Sequence, residues 1–276
     1  GAGNTHQQGE FKQNVEKGWY WLLKQQDEQG NFFHEGGFNQ AFYTQGQCTI
    51  AICELYGMTR DEKFKPPAEK AVKYCLQSQS SGGGWRYSPG EEGDVSVTGW
   101  ILMALQSARM AGLAVPAENL KRVEGFLDKM AVKGTSHYLY RKGEESMFPL
   151  AMTAEALLCR QYLGWRRYDP RLIEGVERIT QPENLINYEG NFNVYYWYYA
   201  TQVCHHMEGE YWKRWNNVMR QIIPEHQIKE GRNAGSWNPR GDQWETYGGR
   251  LYVTCLSLYC LEVYYRHLPL YSNPFA

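Results

Sequence analysis

Apolar positions along the chain recur at helical spacing, and strand-like alternation is nearly absent. Five stretches share one theme, a threonine followed by an apolar run that ends near glycine or tyrosine. They are QCTIAICELYG around Thr49, SVTGWILMALQSARMAG around Thr98, AMTAEALLCRQYLG around Thr153, YATQVCHHMEG around Thr201 and YVTCLSLYCLEVYY around Thr254. Successive threonines are 49, 55, 48 and 53 residues apart, a period that marks a repeat architecture. Between these runs lies a second, more polar helical set: FKQNVEKGWYWLLKQQ, AEKAVKYCLQSQ, ENLKRVEGFLDKM, DPRLIEGVERIT and EYWKRWNNVMRQII. Pro116 before Ala-Glu-Asn, and Asp169-Pro170, read as helix starts.

Each repeat is therefore a helical hairpin of roughly 50 residues, and five of them give about ten helices in an all-α fold. The glycine-rich stretches DEQGNF, SSGGGWRY, RNAGSW and TYGGR fall in the loops, where glycine permits positive φ and close backbone approach. A ring of such hairpins gathers the loops on shared faces and surrounds a central cavity with the inner helices. Residues 11–268 are expected to form one domain. Residues 1–10, GAGNTHQQGE, are expected to be disordered or added for expression, and 269–276 to be a tail.

Charge and composition narrow the function classes. Lys plus Arg is 29 and Asp plus Glu is 30, a formal charge of −1 with no basic cluster, so nucleic acid is not an expected partner. No apolar run approaches the length of a membrane span. Seven cysteines, an odd number without Cys-x-x-Cys, fall mostly in apolar helical runs and read as small buried hydrophobes. They leave the compartment open. The missing initial Met is compatible with an exported bacterial protein whose leader has been removed. The 10 Trp, 21 Tyr and 10 Phe exceed what a core ordinarily needs, and Tyr and Trp suit surfaces that are apolar at one end and polar at the other.

Two stretches carry a family resemblance. Lys17-Gly18-x-x-Trp21-Leu22-x-x-x-Gln26-x-x-x-Gly30-x-Phe32 resembles the QW repeat of the squalene cyclase and protein prenyltransferase superfamily. Lys70-Ala71-x-x-Tyr74-Cys75-x-x-x-Gln79-x-x-x-Gly83-x-Trp85 matches it again, and Gln227 with Gly235-Ser236-Trp237 suggests a stretched copy. Copies near 122–138 and 174–190 are degenerate. The resemblance implies an α/α toroid of about five helical hairpin repeats. The chain is most similar to bacterial single-toroid proteins of the prenyltransferase or squalene oxidase repeat group, through phrases such as GGGWRYSPGEEGDVSVTGW and YYWYYATQ.

The same comparison argues against the chemistry of its best-known members. Laid on the D-x-D-D-T-A motif of squalene–hopene cyclases, the chain reads Asp94-Val95-Ser96-Val97-Thr98-Gly99, with Ser96 at the acid position. Serine cannot protonate an alkene near neutral pH. Gln47, Ala151, Tyr199 and Tyr252 occupy the equivalent positions of the other repeats and supply no replacement. The zinc-bearing prenyltransferase subunit has an Asp-x-Cys that is missing here. Cys204-His205-His206 puts neighbouring side chains in different directions on a helix, so neither a metal nor another cofactor is expected. QGQCTIA at 45–51 lacks the Gly-Cys-Gly-Glu-Gln of complement-type thioester domains.

Three places carry candidate chemistry. Asp94 is either the cap of the helix that follows or a carboxylate at a cavity mouth, beside Trp85, Arg86 and Tyr87. RGDQWETYGGR gathers Arg240, Asp242, Glu245, Tyr247 and Arg250 beside Trp237 and Trp244, which suits either a hydroxyl-rich ligand or a loop pinned by Arg–carboxylate pairs. In NVYYWYYATQVCHHM, Tyr195, Tyr199, Gln202 and His206 form one helical stripe, either core or cavity lining. The expected function is binding of a small isoprenoid-like or glycan ligand in an aromatic central cavity. An alternative is a glycan-degrading lyase or hydrolase using Asp94 and Asp242 as acid and base, and a further one is a protein-binding scaffold with an unknown partner.

Overall fold

The computed structural model describes residues 2–144, 149–190, 192–266 and 270, and among these the only β structure is three isolated bridges. The same residues form ten α-helices in chain order: α1 (Lys12–Gln25), α2 (Ala41–Thr59), α3 (Lys65–Gln77), α4 (Val95–Met110), α5 (Ala117–Met130), α6 (Pro149–Tyr162), α7 (Pro170–Ile179), α8 (Val194–Met207), α9 (Gly209–Glu225) and α10 (Glu245–Arg266). The last is broken at Gly249, whose φ is 59°. The two sets legible in the sequence alternate as expected. Odd-numbered helices are amphipathic, and even-numbered ones are apolar over most of their circumference; α8 is buried at every position from Val194 to Met207.

The helices fall into two compact units. In the first, α2 packs along α4, with α3 covering α2 and α5 covering α4. Gly46 meets Trp100 and Ile101, and Gly57 meets Ala111, so α2 and α4 approach closely where side chains are smallest. In the second, α8 packs against both α6 and α10, with α7 and α9 outside them.

The repeat motif is a set of recurring hydrogen bonds that tie each hairpin to the next outer helix. Gln26 Nε2 donates to the Pro67 carbonyl at 2.8 Å in the first turn of α3, and Gln79 Nε2 donates to the Asn119 carbonyl at 3.0 Å in the first turn of α5. Gly30 and Gly83 have φ of +98° and +99°, and a Cβ on either would collide with a carbonyl of those helices, Lys70 and Arg122 respectively. Trp85 and Trp237 donate their indole N–H to the Cys75 and Ile223 carbonyls at 2.7 Å, satisfying helix-end acceptors.

The repeat threonines have the complementary task. Thr98, Thr153 and Thr254 each accept the backbone N–H of an aromatic residue in the loop, from Trp85, Tyr138 and Trp237. In the first repeat Gln45 takes this role for Phe32, and Thr49 bonds back to Gln45. The degenerate copies improvise: Ser136 donates to the Arg171 carbonyl, and the Tyr196 hydroxyl reaches the Ile179 and Asn184 carbonyls.

Helix ends follow local chemistry. Pro116 precedes α5 as its cap residue, and Asp169 caps α7 with Pro170 at its first position. All seven cysteines are free, and Cys53, Cys75, Cys159, Cys204 and Cys260 are buried. Within residues 1–10, Thr5 and His6 pack onto the fold. Both are buried, with His6 Nε2 2.9 Å from Asp61 Oδ2 and its ring edge-on to Phe64. The tail expected over 269–276 lies outside the described residues except for Leu270. No helix among the described residues is long and apolar enough to cross a membrane.

Candidate functional site

In the first unit, chain segments before α4 and after α5 converge on Asp94. The 85–94 loop closes through an antiparallel bridge between Trp85 and Asp94, and Gly93 lies so close to Gly84 that no Cβ fits between them. Asp94 caps α4: its Oδ1 accepts the Val97 N–H at 2.8 Å, and its side chain is completely buried. Oδ2 accepts from the Tyr140 hydroxyl at 3.1 Å and lies 3.6 Å from Arg86 Nε, an ion-pair distance too long for a hydrogen bond. The Tyr87 and Tyr140 hydroxyls are 2.7 Å apart. Arg86 also holds Glu91 at 3.0 Å and stacks over Tyr87, while Ser96 accepts from the Tyr43 hydroxyl at 2.8 Å.

The electrostatics separate these groups. Burial pushes the Asp94 carboxyl up to about 7, overriding the Val97 N–H, the Tyr140 hydroxyl and Arg86, all of which favour its charged form. Tyr140 is driven well above the phenol range, first by burial and then by the neighbouring Asp94 charge. Near neutrality Asp94 therefore exchanges a proton, and Tyr140 keeps its own.

A cavity of about 280 Å³ opens beside this cluster. It is lined by Arg86, Glu91, Glu92 and Gly93 from the loop before α4, by Met130 at the end of α5, and by Arg141 and Lys142. Asp94 follows Gly93 directly and lies behind this wall. The cavity is lined by charges of both signs.

In the second unit, Asp242 likewise serves backbone groups. Its Oδ2 accepts the Val194 N–H at 2.9 Å and its Oδ1 the Trp244 N–H at 2.8 Å, and burial raises its carboxyl above the usual range. Among the described residues, the contacts of this loop run mainly to backbone groups. Arg250 donates to Ser236 and to the Trp237 carbonyl, and Glu245 accepts the Gly241 N–H. Trp244 packs edge-on to Tyr247.

The α8 stripe has no distinct face, because every side of that helix is buried. Tyr195 donates to both oxygens of Glu155, at 3.0 and 3.3 Å, and meets Tyr199 edge to face. His206 lies three turns further on, against Tyr162, with burial pulling its imidazole down to about 3. Arg86 lies beside Asp94, and Tyr87 meets it through Tyr140. Trp85 and Trp237 are both buried with their indole N–H groups bound to backbone.

Sequence reasoning missed Tyr140, Glu91 and Glu155. Two of them were visible by comparing repeats. Tyr138-x-Tyr140 repeats Trp85-x-Tyr87, since Tyr138 and Trp85 both donate to a repeat threonine. Glu155 lies two residues after its threonine, where the other repeats have Ala51, Trp100, Val203 and Leu256. A lone charge in that apolar column is the signal.

Neither a scan against protein-family models nor a search of curated proteins finds a match for this chain. Among solved structures, the chain is similar to an inactive variant of the α-1,6-mannanase GH76A of Salegentibacter sp. HEL1_6, in complex with α-1,6-mannotriose. The match has a TM-score of 0.53 and 14% identity, and covers 80% of this chain and 74% of that one. At that identity the likeness concerns the fold alone. The chain is an all-helical α/α toroid of hairpin repeats.

Proposed function

We propose that residues 11–268 form a single toroid domain that binds and hydrolyses a glycan, with Asp94 as proton donor and Glu91 as the second carboxylate. The observation that carries this reading is the Arg86 guanidinium, which touches both carboxylates beside an open, charged cavity. One guanidinium within reach of both carboxylates keeps them close enough to act on a single bound sugar. Their environments differ as that chemistry requires. Asp94 is buried with its carboxyl raised to about 7, whereas Glu91 lines the cavity and is paired with Arg86. Tyr140 and Tyr87 orient Asp94 through its Oδ2. For Asp94 to reach a bound sugar, Arg86 must swing off its 3.6 Å contact, which a ligand hydroxyl or carboxylate bonding the guanidinium would favour.

The solved mannanase supports the substrate class, not the substrate. Its inactive variant replaces two adjacent aspartates, and no two aspartates are adjacent in this chain. A lyase is the weaker form of the idea, because a tyrosine base needs a low pKa and Tyr140 is pushed the other way. The finer kinship to prenyltransferase and squalene cyclase repeats rests on the hydrogen bonds of Gln26 and Gln79 and concerns how hairpins join. An isoprenoid ligand fits poorly in a cavity lined by Arg86, Glu91, Glu92, Arg141 and Lys142.

Thermal melting against neutral and acidic oligosaccharides and isoprenoid diphosphates tests the ligand class. A ligand at about 100 times its Kd adds roughly 2.7 kcal/mol. A rise in Tm with a glycan is expected. A rise only with isoprenoid diphosphates would return the reading to an isoprenoid-binding toroid, and none across the panel would favour a protein-binding scaffold.

A further inference from the structure

The cavity beside Asp94 carries more positive charge than its own carboxylates use. Arg86, Arg141 and Lys142 line it together with Glu91 and Glu92. Arg86 is engaged by Glu91 at 3.0 Å, and Arg141 by Glu144 of its own turn at 3.0 Å. Among the described residues, Lys142 has no carboxylate partner at ion-pair distance. Glu92 turns elsewhere: its Oε1 lies 4.0 Å from the Cβ position on Gly82, in the turn closed by the Gly83 N–H bond to the Ser80 carbonyl.

Backbone geometry holds Lys142 at this place. Lys142 and Gly143 are the two central residues of a tight turn between Arg141 and Glu144, which form an antiparallel bridge, and Gly143 takes a φ of +83°. The segment leading into the turn is fixed at two points. The Leu139 N–H donates to the Met130 carbonyl at 2.9 Å, and the Val95 N–H donates to the Tyr140 carbonyl at 3.0 Å. Val95 follows Asp94 directly, so the cation and the acid are tied to one backbone frame.

Arg86 limits what a ligand must bring. Its guanidinium holds Glu91 and lies 3.6 Å from Asp94 Oδ2, so one cation restrains both carboxylates. A neutral hydroxyl can hydrogen-bond a guanidinium but brings no charge to replace that of Glu91. A carboxylate does, and it presents the planar pair of oxygens that the guanidinium fork already accepts from Glu91. With Arg86 turned to such a group, Glu91 is released toward the sugar. Asp94 then loses a contact that favours its charged form and gains a negative neighbour, and both changes strengthen its hold on a proton.

Resting on the reading of this site as a glycan hydrolase, we infer that its substrate is an acidic glycan whose uronate carboxylate is taken by Arg86 and Lys142. The anion is then both the group recognised and the trigger that frees the two carboxylates.

Isothermal titration calorimetry on the full chain tests this with oligogalacturonates, oligomannuronates and hyaluronan oligosaccharides. Each is paired with its carboxyl-reduced form, which keeps the linkages and loses the charge. A uronate is expected to bind about tenfold or more tightly than its reduced partner, and to weaken as salt rises. Lys142→Gln should weaken uronate binding about tenfold, and Lys142→Arg should keep most of it. Lys142 is exposed, so unchanged melting of the free variants verifies folding. Equal binding of a uronate and its reduced form, or binding of reduced forms alone, overturns the acidic substrate and leaves glycan hydrolysis standing. Uronate binding untouched by Lys142→Gln overturns the assigned site. Binding of no oligosaccharide, charged or reduced, overturns this inference and the glycan reading together.

Discussion

Asp94 is the residue on which structure and chemistry meet. As a cap its charged form is favoured by the Val97 N–H, yet burial dominates and raises its carboxyl to about 7. The folded state therefore binds a proton more tightly than the unfolded chain, whose carboxyl titrates near 3.8. This contribution to stability is complete below about pH 4 and is lost as pH rises through about 7, a span worth a few kcal/mol. Asp94→Asn keeps the cap and removes the titration, so denaturant unfolding at a series of pH values should show a flatter profile between pH 4 and 7. A variant profile parallel to wild type would place that proton elsewhere. His206 runs oppositely. With its imidazole lowered to about 3, it gives stability present above the unfolded value of 6.5 and lost as pH falls toward 3. His206→Gln should flatten the acid limb of the same curve. The sequence offered Asp94 as a cap or as a carboxylate at a cavity mouth; its Oδ1 caps α4, and its side chain is buried behind the cavity wall. It could not offer the Tyr140 contact, because 46 residues and a degenerate repeat separate the two.

At the scale of elements, the helices were legible because two periodicities coincide: a 3.6-residue pattern within each helix and a repeat of roughly 50 residues across them. The hydrogen-bond logic of Gln79, Gly83, Trp85 and Thr98 was legible only in part. The motif named the residues, but their partners lie in other hairpins. Gly83→Ala would combine positive φ with a collision against the Arg122 carbonyl and should destabilise by about 3 kcal/mol or more. Gly125→Ala is the control: it lies in α5 with nothing within 4 Å of its Cβ position, and should stabilise by up to ~1 kcal/mol. Chemical denaturation of both reads the contrast, and similar losses in the two would show that the motif glycine has no special role. Thr98→Val removes the acceptor of the buried Trp85 N–H, at a cost of about 1–3 kcal/mol in the same assay.

For the whole molecule, the fold class was readable from the repeat period, whereas the uses of the aromatic residues were not. The aromatic surplus suggested a ligand chamber lined by Trp and Tyr. Much of it instead ties hairpins together, as with Trp85, Tyr196 and Trp237, or fills α8, and the cavity beside Asp94 is lined by charge. Counting aromatic residues cannot separate these uses, because both need a side chain that is apolar along its body and polar at its tip. The proposed link to glycan hydrolysis rests on a buried carboxyl raised to about 7, behind a cavity lined by a second carboxylate. The decisive measurement is release of new reducing ends from the oligosaccharide that raises Tm, compared between wild type and Asp94→Asn. Turnover by the wild type is expected, with a loss of about 10²–10⁴-fold in the variant while the ligand-induced Tm rise is kept. Equal turnover by both proteins, or binding without turnover by either, would contradict a proton-donor role for Asp94.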